Sequence, residues 1–174
     1  SKGDCHYLPS GTLHALGAGV LVAEVQTPSD TTYRIYDWAR TDRELHIEQA
    51  MACIEFNDDI ADEAEDEALP TIPWAEGLTM SVAAACEYFS ILAFACDHDT
   101  VFNSDHEQDL PLGKHPAIYM PLAGSATITF TSGEAIELTP GRTTLVPASQ
   151  IFIRSIRASA GARWLLVHPA SPDR

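Results

Sequence analysis

Short apolar runs, broken by turn residues, fill the second half of the chain. They lie at Glu87 to Cys96, Ile118 to Leu122, Ala126 to Thr131, Ala135 to Leu138, Thr143 to Pro147, Ile151 to Ile156 and Arg163 to His168. Gly124, Ser132-Gly133, Pro140-Gly141 and Gly161 punctuate them. Runs of this length and spacing predict strands of an antiparallel sandwich or barrel. Asp97 to Lys114 is polar and rich in turn residues, and reads as loop. Residues 3–40 also read as β structure. Val20 to Gln26 and Thr31 to Trp38 are the strand-like runs, with turns at Pro9-Ser10-Gly11 and Thr27-Pro28-Ser29-Asp30. The period of two puts Glu24 on the face of Val20 and Val22, and Arg34 on the face of Thr32 and Tyr36. Apolar neighbours on both faces predict strands covered on both sides.

Between these halves the pattern changes. Thr41-Asp42-Arg43-Glu44 has the form of a capping box, and Ile47, Ala50, Met51 and Ile54 follow at helical spacing. This predicts a helix over 42–55. An acidic run from Asp58 to Glu67, then Pro70, Pro73 and Gly77, reads as a solvated linker without a core. The expected organisation is a β unit with its helix at 1–56, a linker at 57–80 and a second β unit at 81–174.

Composition adds bounds. With 174 residues and 45% hydrophobic content, the chain can bury the core of one ordinary domain or two small ones. No run of about 18 apolar residues is present, so no membrane helix is expected. The chain opens on Ser1 without an apolar leader, which suggests a processed or truncated sequence. A net charge of −15 repels phosphate backbones, so nucleic acid is excluded as a partner. Four cysteines with no CxxC pair fit reduced thiols in a cytoplasmic protein.

Candidate chemistry centres on His14, Glu24 and Arg34, spaced ten residues apart in mostly apolar surroundings. A lone strand histidine can be packing or ligand. Glu24 and Arg34 can be a buried ion pair or can line a wet cavity. His98, His106 and His115 lie among acidic residues, but their spacing fits no standard metal site, so a solvated loop is expected. There is also an internal echo. Gly3-x5-Pro9-x-Gly11 recurs as Gly141-x5-Pro147-x-Ser149, with Phe152 where the first copy has His14.

Gly3-x5-Pro9-x-Gly11-x2-His14 resembles the second motif of the cupin superfamily. The longer string is similar to the C-terminal half of type I mannose-6-phosphate isomerases. It comprises Pro9 to Ala15, Glu24-Val25-Gln26 and Ser29 to Trp38, with Leu45-His46-Ile47-Glu48 resembling the following helix. Ala39 departs from the glycine common there. The resemblance implies an all-β, cupin or jelly-roll fold: an incomplete first cupin unit with one helix, then a degenerate second unit. It implies that His14 is a zinc ligand, Arg34 the active-site arginine, and Glu24 and Asp30 acidic residues of the sugar-phosphate pocket. The family's other zinc ligands, a Gln-x-His pair and a Glu, have no counterpart here.

The expected function is therefore mannose-6-phosphate isomerase, or a C-terminal part of one, acting on a sugar phosphate in carbohydrate metabolism. Zinc needs three or four protein ligands. With one, the isolated chain is expected to hold zinc weakly or not at all, and to be inactive. The alternative is a non-catalytic sugar-phosphate-binding module derived from a cupin. Open strand edges in residues 1–56 are expected to be covered by the second unit, by another copy of the chain in a homodimer, or by a preceding segment.

Overall fold

The computed structural model describes residues 3–29, 31–56, 71–103, 115–150 and 152–170. The chain divides into two units, Ser1–Asp66 and Glu67–Arg174. The second is a two-sheet antiparallel sandwich. Its strands are β1 (Ile72–Ala75), β2 (Leu78–Ala85), β3 (Phe89–Cys96), β4 (Thr100–Asn103), β5 (Ala117–Ala123), β6 (Ala126–Phe130), β7 (Ala135–Leu138), β8 (Thr144–Val146), β9 (Ile153–Ala158) and β10 (Arg163–Pro169). One sheet runs β1-β2-β3-β10-β5-β8 and the other β4-β9-β6-β7.

Alternation explains why these segments pair. On β6, Ala126, Ile128 and Phe130 are buried while Thr127 and Thr129 are half-buried, which is the period of two that a sheet face imposes. The inner faces of both sheets contribute to one core: Leu78, Leu92 and Leu166 from the first, Ile128, Leu138 and Ile156 from the second. Trp164 of β10 lies opposite Phe94 of β3. Their rings stack at 5.1 Å, and Trp74 meets Phe94 edge-on at 6.1 Å. Gly124 lets the chain pass from β5 in one sheet to β6 in the other. Its φ is +62°, and a Cβ there would fall 2.6 Å from the Ala162 backbone, so only glycine fits this corner.

Two expectations are corrected here. Residues 72–80, assigned to the linker, hold β1 and the start of β2, and Leu78 and Met80 are buried in the core. Pro73 is tolerated because β1 is an edge strand, and Gly77 serves the hairpin turn that follows it. The polar stretch after Asp97 likewise contains a strand, β4, paired with β9 at the edge of the smaller sheet. His106 lies outside the described residues.

In the first unit the difference from expectation is larger. Among its described residues the one regular element is a helix, α1 (Ile47–Cys53). Val20 to Gln26 and Thr31 to Trp38 form no strand. A strand exists through its ladder, and these segments have none, so their apolar side chains stay in solvent: Leu21 is 101% exposed and Tyr36 65%. The helix is also shorter than the 42–55 expected, with His46 rather than Thr41 as N-cap. His46 is held by Arg34: its backbone N–H donates to the Arg34 carbonyl at 2.7 Å, and its Nδ1 accepts from the Arg34 N–H at 3.3 Å. Ala50 is the buried residue of α1. The helix exit is pinned where Glu55 N–H donates to the Gly11 carbonyl at 3.2 Å.

Candidate functional site

Charged groups in the first unit converge on Asp37. Arg34 Nε and Arg43 Nε each lie 3.9 Å from Asp37 Oδ2, and Arg40 Nη1 lies 3.9 Å from Oδ1. The Asp37 side chain is 10% exposed, against 27% for Arg34 and about half for the other two. Oδ2 is closed to solvent and accepts no hydrogen bond among the described residues.

Local backbone builds this cluster. Arg40 N–H donates to the Asp37 carbonyl at 2.9 Å, closing a four-residue turn. Its central residues, Trp38 and Ala39, have φ of +52° and +61°. The left-handed region costs a residue with a Cβ about 1–2 kcal/mol. Such strain persists only where surrounding contacts enforce it. The turn swings Arg40 back onto the carboxylate that Arg34 already faces. A bend at Thr41 to Arg43 follows.

The residues singled out from sequence are not gathered together. His14 is exposed, with Nδ1 2.9 Å from the Thr12 carbonyl oxygen. A proton on Nδ1 donates to that oxygen and leaves the Nε2 lone pair free for a ligand. Glu24 is exposed. Among the described residues it makes no ion pair with Arg34, whose carboxylate neighbour is Asp37. Val20 to Gln26, expected to be a strand covered on both faces, forms none. Asp30 lies outside the described residues. No three His, Cys, Asp or Glu side chains come together as a metal site among the described residues. They do not by themselves fit zinc.

Asp37, Arg40 and Arg43 went unnoticed in the sequence. The available signal was density: three of the chain's ten lysines and arginines fall within residues 34–43. In the sandwich, Tyr119 is the outstanding polar group. It is 1% exposed, its hydroxyl has no hydrogen-bond partner among the described residues, and burial pushes its phenol well above the usual value.

No family model matches the chain. It is 38% identical over 102 residues to the mannose-6-phosphate isomerase ManA of Bacillus subtilis strain 168, covering 51% of this chain and 28% of that protein. It is 42% identical over 96 residues to the putative mannose-6-phosphate isomerase YvyI of the same organism, with the same coverage. A mannose-6-phosphate isomerase of Streptococcus mutans is 38% identical over 94 residues. The chain thus spans about 28% of the length of these relatives. Among solved structures, the mannose 6-phosphate isomerase from Bacillus subtilis superposes with a TM-score of 0.55 at 22% identity, over 80% of this chain and 41% of that one. The likeness to mannose-6-phosphate isomerases is borne out, and so is the all-β fold expected from it, carried by the antiparallel sandwich of the second unit.

Proposed function

We propose that this chain, a relative of the mannose-6-phosphate isomerases over half its length, supplies one wall of a sugar-phosphate isomerase site. The observation that carries this reading is the 38–42% identity to proteins of that name. The reaction interconverts mannose 6-phosphate and fructose 6-phosphate by moving a proton between C1 and C2 through an enediol. It needs a fixed positive charge for the developing oxyanion and a group that carries the proton. Arg34 suits the first role. It is always charged, and because Nε faces Asp37 its two Nη nitrogens are left for an oxyanion or a phosphate. Glu24, an exposed carboxylate, moves the proton or orients a sugar hydroxyl. His14 Nε2 is a zinc-type donor, but no group of three such donors comes together among the described residues, short of the set a zinc site needs, and no step is assigned to a metal.

Calorimetric titration of the chain with mannose 6-phosphate tests this reading. Binding is expected, with a loss of about 10- to 100-fold in Arg34→Gln, the range for one charge-assisted hydrogen bond. An unchanged affinity in Arg34→Gln overturns the assignment. A coupled isomerase assay of the chain alone is expected to show no turnover. The second reading, a non-catalytic sugar-phosphate-binding module, is favoured by the lack of a three-donor group among the described residues. It predicts the same binding and no turnover when zinc is supplied in excess. A cytoplasmic setting goes with either reading, and four free cysteines support it.

A further inference from the structure

We propose that Arg34, Arg40 and Arg43, gathered round Asp37, form a binding site for the phosphoryl group of a phosphomonoester. The proposal deepens the sugar-phosphate reading, and rests on it only for the sugar. Arg40 and Arg43 are its new members.

The first argument is charge. Three guanidinium groups share one carboxylate, so the cluster carries three positive charges against one negative, an excess of two. This excess stands on a chain whose net charge is −15. Asp42 and Glu44 lie in the same stretch but form no ion pair with any of the three arginines among the described residues. A phosphomonoester brings a charge of about −1.5 to −2 and three strong acceptor oxygens, which matches the excess.

The second argument is unused donors. All three arginine–carboxylate separations are 3.9 Å, beyond hydrogen-bond range. Asp37 therefore neutralises part of the charge without consuming the guanidinium N–H groups. Its Oδ2, sealed from solvent and unpartnered, sits between Arg34 and Arg43. It lessens the repulsion that would otherwise drive the arginines apart, and so acts as a positioning residue.

The third argument is backbone. Arg34 is tied in both directions to His46. Arg40 is brought in by a turn whose two central residues, Trp38 and Ala39, hold positive φ without being glycine. Strain of this kind gathers at ligand clamps. A purely structural ion network would need neither the strained turn nor the excess of positive charge.

The test is calorimetric titration of the full chain with inorganic phosphate and, separately, with mannose 6-phosphate. Arg40→Gln, Arg43→Gln and, as a control, Arg157→Gln on β9 are compared. Circular dichroism checks that each is folded. Phosphate affinity is expected to fall about 10-fold in Arg40→Gln and in Arg43→Gln, to stay unchanged in Arg157→Gln, and to weaken as salt rises. Absence of phosphate binding, or affinity in both cluster variants unchanged from that of the unsubstituted chain, overturns the proposal. Mannose 6-phosphate binding that needs Arg34 but neither Arg40 nor Arg43 overturns it while leaving the isomerase reading standing. Phosphate binding that depends on Arg40 and Arg43, with no gain from the sugar, supports it and removes the isomerase reading.

Discussion

Leucines behave in opposite ways in the two units. Leu78 and Leu166 in the sandwich are fully buried, whereas Leu21 in the first unit is fully exposed. Both stretches carry strand-like apolar runs, yet only one of them has ladders. The sandwich buries its side chains because strands distant in sequence, such as β3 and β10, pair along their whole length. The first unit is held by turn hydrogen bonds, by the Arg34–His46 pair and by the charges round Asp37. Chemistry and core are thus separated. The side chains suited to bind an anion stand where apolar burial contributes least, and their positions depend on polar contacts.

Three substitutions bear on that contrast. The largest effect is expected from Trp164→Ala, which removes a fully buried ring stacked on Phe94. It should cost about 3–5 kcal/mol, read as a lower urea midpoint by circular dichroism. A loss under about 1 kcal/mol would mean that the sandwich core is not what holds this unit. Next comes Tyr119→Phe. Removing a buried hydroxyl with no partner should stabilise by about 1 kcal/mol. The raised phenol value also sets a sign. Above about pH 10 the unfolded chain releases this proton while the folded one keeps it, so stability falls as pH rises. That alkaline fall should be shallower in Tyr119→Phe, and an identical pH profile would show that the phenol reaches solvent. The smallest effect is expected from Leu21→Ala, within about 0.5 kcal/mol, because its side chain is already in water. A larger loss would show that the first unit buries Leu21 in solution.

The sandwich strands after Glu87 were legible because apolar alternation and Gly or Pro punctuation coincide with the ladders. β1 and β4 were not. Pro73 and the polar residues near Asp97 are tolerated at sheet edges, and composition does not show which strand is an edge. Val20 to Gln26 reads as a strand for the same local reasons as β6, but pairing is non-local and no partner is present among the described residues of its unit. The capping box at Thr41 was overridden by the Arg34–His46 pairing, which starts the helix five residues later than a start at Asp42. Of the site, Arg34 was legible through its motif. Asp37 was not, because its role depends on a turn with two left-handed residues. Ala39, standing where the resembling family commonly has glycine, was the trace of that turn in the sequence.

Residue-by-residue mapping of mannose 6-phosphate binding, by backbone amide chemical shifts of the labelled chain, addresses the separation of chemistry from core most directly. Perturbations should cluster at Arg34 to Arg43 and His46, and should leave β1 to β10 unmoved. Perturbations confined to the interior strands of the sandwich, with residues 34–46 silent, would contradict the account.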